Sequence, residues 1–143
     1  MTALVVENDA RIRLLVVRLI QSCGFDSIAE AADGREALAY LASHDPELIL
    51  TDLDMPRMGG IEMVRRLRAN GIRTPVIMLS AQDDHVVIEQ ARRTGISAYL
   101  AKPVDARALT RTIHRTLAVA ARTNKRPGGG VKSRDHRDRR GVA

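Results

Sequence analysis

Residues 48–56 read Leu48-Ile49-Leu50-Thr51-Asp52-Leu53-Asp54-Met55-Pro56. The run opens on consecutive aliphatic residues with no polar side chain between them, and Thr51-Asp52 brings it to an acidic stop. A strand with one wet face alternates apolar and polar residues. A short unbroken aliphatic run is what a strand buried on both faces requires. A loop containing Pro56 and Gly59-Gly60 follows, and then Ile61, Val64 and Leu67 recur at helical spacing. The unit is therefore a buried strand, an acidic loop and a helix, with Asp52 delivered at the strand's carboxyl end.

The same unit recurs on both sides. Ala3-Leu4-Val5-Val6 runs into Glu7-Asn8-Asp9, and a helix follows through Ile12, Leu15, Val16, Leu19 and Ile20 until Gly24 stops it. Ser27–Ala31 reads as a short strand, Asp33-Gly34 as a turn, and Ala37, Leu38 and Leu41 as a helix ended by His44-Asp45-Pro46. Pro75-Val76-Ile77-Met78-Leu79 is a further buried strand ending in Ser80, followed by a helix with Val86, Val87, Ile88 and Ala91 that Gly95 closes. Ala98-Tyr99-Leu100-Ala101 leads to Lys102-Pro103, and Asp105 caps a last helix striped by Leu109, Ile113, Leu117 and Ala120. Five strands alternating with five helices predict an α/β fold: a three-layer, doubly wound (βα)5 unit on a central five-stranded parallel sheet with right-handed crossovers. In such folds ligands bind beyond the carboxyl ends of the strands.

Composition narrows the class. Hydrophobic residues make up 45% of the 143 residues but aromatics only 2%, so the core is aliphatic. Eight of the 23 Lys/Arg and two of the 17 Asp/Glu lie from Arg122 onward, which leaves 15 of each sign in residues 1–121. The net charge of +6 thus belongs to the end of the chain. The division expected is a folded domain over 1–121 and a basic, Gly/Arg-rich disordered tail over 122–143. The neutral domain gives no reason to expect nucleic acid on its own surface, and the tail is too short for a DNA-binding domain. The lone Cys23 excludes an internal disulfide and reads as a buried structural thiol. No signal peptide and no membrane span are legible, which fits a cytoplasmic location. His44, His85, His114 and His136 have no metal-ligand spacing and read as surface groups.

The strand ends gather one kind of chemistry. The first offers Glu7, Asn8 and Asp9; the third Asp52, with Asp54 beyond; the fourth Ser80; the fifth Lys102. Clustered oxygen ligands suit Mg²⁺, which neutralises charge on phosphoryl oxygens. A carboxylate is a competent nucleophile toward a phosphodonor, and an ammonium and a hydroxyl can contact the phosphoryl oxygens. Ser80 has a plainer reading as a cap for the helix beginning near Asp83.

The segments Leu4-Val5-Val6-Glu7-Asn8-Asp9, Asp52-Leu53-Asp54-Met55-Pro56, Leu79-Ser80-Ala81 and Tyr99-Leu100-Ala101-Lys102-Pro103, in this order and spacing, resemble a response-regulator receiver domain over about residues 2–121. The resemblance implies a flavodoxin-like fold and a phosphorelay role. Asp52 would be the phosphoacceptor, and Glu7, Asn8, Asp52 and the Asp54 backbone carbonyl would be ligands of Mg²⁺. Ser80 and Lys102 would contact the phosphoryl group, and Ser80 with Tyr99 would form the switch. It also implies a Lys102–Pro103 peptide that is often cis, and lifetime-setting positions at Asp54 and Gln82. The phosphodonor would be a histidine kinase or histidine phosphotransferase. Leu14 and Val17, the extra apolar residues of the first helix, are read first as widening its core face and second as a docking surface for that partner. The readout would be a protein partner on the face of the fourth helix, last strand and fifth helix. The expectation is a stand-alone regulator that is no enzyme beyond Mg²⁺-dependent self-phosphorylation and dephosphorylation.

One position departs from the family. Asn8 stands where an aspartate ordinarily ligates Mg²⁺, so weaker metal binding is expected, with Glu7 or Asp9 compensating. That departure leaves open a phosphorylation-independent, receiver-like binding module. A haloacid-dehalogenase-type phosphatase is disfavoured: its Asp-x-Asp motif lies on the first strand, whereas here Asp52-Leu53-Asp54 precedes Met55-Pro56. Non-specific nucleic-acid binding through the tail is a further reading, weakened by the lack of aromatics there.

Overall fold

A computed structural model describes residues 1–124. The chain alternates strand and helix throughout: β1 (Thr2–Val6), α1 (Ala10–Gln21), β2 (Ser27–Ala31), α2 (Gly34–Leu41), β3 (Leu48–Asp52), α3 (Gly60–Ala69), β4 (Val76–Ser80), α4 (His85–Arg93), β5 (Ala98–Ala101) and α5 (Ala106–Asn124). All strand pairs are parallel and the sheet order is β2-β1-β3-β4-β5. The doubly wound (βα)5 expectation is met. The helix α5 runs on past Ala121, so Arg122, Thr123 and Asn124 belong to it. The rest of the expected tail lies outside the described residues.

The aliphatic runs are explained by burial on both faces. Leu4, Val6, Ile49, Val76 and Met78 face one core with Ala37, Leu41, Met63, Val64, Leu67 and Ala91 of α2, α3 and α4. Their strand neighbours Ala3, Val5, Leu48, Leu50, Ile77 and Leu79 face the other, with Val16, Val17, Ile20, Leu109 and Ile113 of α1 and α5. Every residue of β3 and β4 is buried, whereas the edge strands β2 and β5 are mostly half-exposed. Truncating Ile49, which is fully buried, to Ala would cost about 2–5 kcal/mol through lost transfer energy and a cavity.

Asp residues start four of the helices. Asp9 accepts from the amides of Arg11 and Ile12 at 2.9 and 3.3 Å, and Asp33 from Glu36 at 3.0 Å. Asp84 accepts from Val86 at 2.8 Å and Asp105 from Arg107 at 3.1 Å. Such caps satisfy amides that a helix's first turn leaves unpaired. Asp33-Gly34 is therefore a helix start rather than a free turn. The cap of α4 is Asp84, not Ser80. Gly60 opens α3 so close to β3 that a Cβ there would run into the Asp52 carbonyl.

Two further expectations change. Leu15 is 62% exposed and Leu14 49%, while Val17 is buried, so the inward stripe of α1 is Ile12, Val16, Val17, Leu19 and Ile20. Val17 widens the core face, in line with the first reading of the extra apolar residues, whereas Leu14 is exposed. Cys23 is half-buried, its Sγ 3.6 Å from the Leu19 carbonyl and 3.7 Å from the Thr110 hydroxyl.

Candidate functional site

Parallel register aligns the strand ends that carry the chemistry. Val6 pairs with Thr51, Asp52 with Leu79 and Ser80 with Ala101, so Glu7, Asp52, Ser80 and Lys102 leave the sheet along one rim. The Lys102–Pro103 peptide is cis. Lys102 Nζ stands 2.9 Å from Glu7 Oε1 and 3.2 Å from Asp52 Oδ2. Both carboxylate residues are buried, Glu7 to 4% exposure and Asp52 to 8%.

Each carboxylate has a second tie. Asp52 Oδ1 accepts from the Leu53 amide at 2.8 Å, and Glu7 Oε2 from the Asp9 amide at 3.0 Å. Burial raises the Asp52 carboxyl above its ordinary range; the Glu7 charge adds to this, and Lys102 opposes both. Burial also works against the Lys102 ammonium, but the Glu7 hydrogen bond and the two carboxylate charges outweigh it and hold its pKa up. The two shifts share one cause. A single ammonium serves two buried carboxylates, so Lys102 is amply compensated and Asp52 is not.

Ser80 is fully buried, and its Oγ accepts from the Gln82 amide at 2.9 Å. The Tyr99 hydroxyl donates to the Gln82 carbonyl at 3.1 Å. Gln82 is thus the physical link between Ser80 and Tyr99, a role that local sequence gives no means to derive. Asn8 and Asp54 are exposed beside the rim. Asp9 is committed to the first turn of α1, whose Ile12 and Arg11 amides hold its carboxyl below the usual range. It is poorly placed to compensate for Asn8.

Arg13 went unnoticed in the sequence because it reads as one of several solvated cations on α1. Its Nη1 donates to the Glu7 carbonyl at 2.7 Å and its Nε to Glu30 at 2.9 Å, bracing the turn that carries Glu7 and Asn8.

Among the described residues no group of three His, Cys, Asp or Glu side chains clusters to hold a metal by themselves. The donors that face the rim are nevertheless all hard oxygens. The Glu7 and Asp52 carboxylates exceed the Lys102 ammonium by one negative charge in a desolvated place. That charge balance and donor chemistry fit a small hard cation with water completing its shell.

The sequence model of the response regulator receiver domain family matches residues 3–114. The chain belongs to the response regulator receiver family. The chemotaxis protein CheY of Pseudomonas aeruginosa is 33% identical over 117 residues, which is 80% of this receiver and 94% of that protein. The transcriptional regulatory protein PdtaR of Mycobacterium tuberculosis is 34% identical over 100 residues, 70% of this chain and 48% of that one. The chain thus spans about half the length of PdtaR, as it does of the regulator SphR of Synechococcus elongatus at 50%. The solved chemotaxis regulator CheY4 of Vibrio cholerae superposes with a TM-score of 0.74 at 31% identity, covering 80% of this chain and 97% of that one. The receiver domain of the Francisella response regulator 1452 gives a TM-score of 0.77 at 28% identity, covering 83% and 98%. This receiver is a phosphorelay signalling module, and receivers of its family generally bind Mg²⁺ at their phosphorylation site. No described helix is long and apolar enough to cross a membrane.

Proposed function

We propose that Asp52 is the phosphoacceptor of this receiver, charged by a histidine kinase or histidine phosphotransferase in the cytoplasm. The observation that carries this is the rim geometry: a buried carboxylate at the end of β3, held at 2.8 Å by the Leu53 amide and 3.2 Å by Lys102. In the transfer, an Asp52 oxygen attacks the donor's phosphorus, the phosphorus–nitrogen bond breaks, and the imidazole leaves as the acyl phosphate forms. Lys102 then moves its ion pair from the carboxylate to the phosphoryl oxygens. Ser80, which accepts from the Gln82 amide, has a hydroxyl proton to donate to the same group.

Glu7, Asn8, Asp52 and the Asp54 carbonyl would hold Mg²⁺, which when bound offsets the charge on the phosphoryl oxygens. Asn8 brings an oxygen without a charge, so binding is weaker than in a receiver with two acids. Self-phosphorylation from a small phosphodonor and self-dephosphorylation are the only turnover this reading asks of residues 1–121.

The output runs from Ser80 through Gln82 to Tyr99. Drawing Ser80 toward a phosphoryl group weakens its bond with the Gln82 amide and shifts the carbonyl that anchors Tyr99. The change reaches the face of α4, β5 and α5, where a protein partner reads it as a population shift. Incubation of the protein with acetyl phosphate and Mg²⁺, followed by intact mass, tests the proposal. One added phosphoryl group that Asp52→Ala abolishes is expected. No adduct on the wild type overturns it in favour of a phosphorylation-independent binding module.

A further inference from the structure

Asp33 is fully buried, yet its work as a helix cap needs only the Glu36 amide. Its other oxygen faces Arg57, whose Nε donates to it at 2.6 Å across 24 positions of sequence. Arg57 reaches it from a backbone at φ 65°, a conformation that favours glycine and that side chains rarely adopt. The next residue adds a second tie, since the Gly34 amide donates to the Met58 carbonyl at 3.1 Å. The fit there is tight: a Cβ on Gly34 would stand 2.8 Å from Met58 Cγ and 2.9 Å from its carbonyl oxygen. The β3–α3 loop is therefore strapped to the first turn of α2 at two successive residues.

That loop is also the backbone wall of the rim. The Leu53 amide holds Asp52 Oδ1, the Leu53 carbonyl accepts from Gly60 at 2.9 Å, and Asp54 lies between the Leu53 anchor and the Arg57 strap. A strained residue and a buried charge at one strap point to a positional requirement, since α2 alone would be served by the cap. We infer that the Arg57–Asp33 pair is a clamp that sets the backbone of residues 53–55 against Asp52, making Arg57 and Asp33 positioning residues for metal and phosphoryl binding at the rim. The inference rests on the Asp52 reading for its consequence, although the clamp itself is visible without it.

Glycine at 57 takes φ 65° without strain while deleting the guanidinium, so any loss of stability reflects the ion pair and not the backbone. The experiment follows the amide resonances of Leu53, Asp54 and Gly60 in isotope-labelled full chain, before and during Mg²⁺ titration, with thermal melting alongside. Arg57→Gly leaves the Asp33 carboxylate buried without its cation and is expected to melt lower than wild type. At temperatures where it is folded it should nevertheless shift the Leu53 and Asp54 amides before metal is added and raise the Mg²⁺ Kd by about tenfold, the scale of losing an outer-shell partner. Arg57→Lys should restore most of the affinity, and Asp33→Asn, which keeps the cap, should reproduce the Arg57→Gly effect. Unmoved Leu53 and Asp54 amides in Arg57→Gly, or an unchanged Mg²⁺ Kd, would overturn the clamp. A wild type that gains no phosphoryl group from acetyl phosphate defeats the Asp52 reading alone; the metal-free amide shifts then decide the clamp.

Discussion

Replacing Asp52 by Asn should make the protein more stable at neutral pH. The amide oxygen can still accept from the Leu53 N–H, so the geometry at 2.8 Å survives. What is lost is the ion pair with Lys102 at 3.2 Å, and Lys102 keeps its tighter partner Glu7 at 2.9 Å. What is gained is release from desolvation and from the Glu7 charge, and the raised pKa of Asp52 says that these outweigh the loss. A carboxyl whose folded pKa is raised stabilises the fold when protonated. Its contribution is full below the unfolded pKa near 3.8 and is lost as pH rises through the folded value.

Relieving a poorly compensated buried charge belongs with the stabilising substitutions worth about 0.5–2 kcal/mol, and solvent at the rim keeps the gain to roughly 1 kcal/mol at pH 7. With an unfolding entropy of about 2 cal/mol/K per residue over the ordered chain, that is a rise of about 4 °C in Tm. Melting followed by circular dichroism at about pH 7 and pH 4 measures it. Acid also weakens ties that both proteins share, such as Asp33, whose pKa is lowered chiefly by the Glu36 amide, so only the difference between them isolates Asp52. The Asn variant should lead at pH 7 and lose that lead in acid. An Asn variant that is less stable at pH 7, or whose lead persists unchanged at pH 4, would refute this charge balance at the rim.

Arg68 donates to the carbonyls of Ile72, Thr74 and Gly95 at 2.9 Å, so Arg68→Met should lower stability in urea by about 2–4 kcal/mol, and a loss below about 1 kcal/mol would count against it. Tyr99→Phe removes the bond to the Gln82 carbonyl; it should cost about 0.5–1.5 kcal/mol and move the Ser80 and Gln82 amide resonances while leaving Mg²⁺ affinity alone. Asn8→Asp should tighten Mg²⁺ by several-fold, on the order of 1 kcal/mol for one added charge near the ion in a solvated site; indistinguishable titrations would sink the idea.

The strands and their terminal groups were legible for one reason. A strand buried on both faces is almost entirely aliphatic, the buried Thr51 of β3 being an exception, so its end is marked by the polar group that closes the run, as at Glu7, Asp52 and Ser80. The helix α1 was misphased because Leu14, Leu15, Val16 and Val17 are consecutive, and two stripes of equal quality run through them. Only the sheet decides that Val17 turns inward and Leu15 does not. The Arg57–Asp33 strap and the Arg13 brace were invisible because each joins elements whose proximity exists only after the sheet has assembled. Asp33 showed its local role as a turn-former but carried no sign of complete burial.

Asn8 takes on a second meaning in that assembled site. Without a cation, Lys102 must hold both Glu7 and Asp52, and Asp52 already bears the excess charge. An aspartate at 8 would add a third carboxylate at the exposed mouth of the same rim and raise the repulsion on Asp52 further. The amide avoids that cost in the metal-free state and forgoes the charge that would draw Mg²⁺ in. Stability without metal and affinity for it therefore pull in opposite directions at this position. If Asp52 is the phosphoacceptor as proposed, the residue present would favour the metal-free, unphosphorylated state, and Asn8→Asp would then speed phosphorylation while lowering metal-free stability.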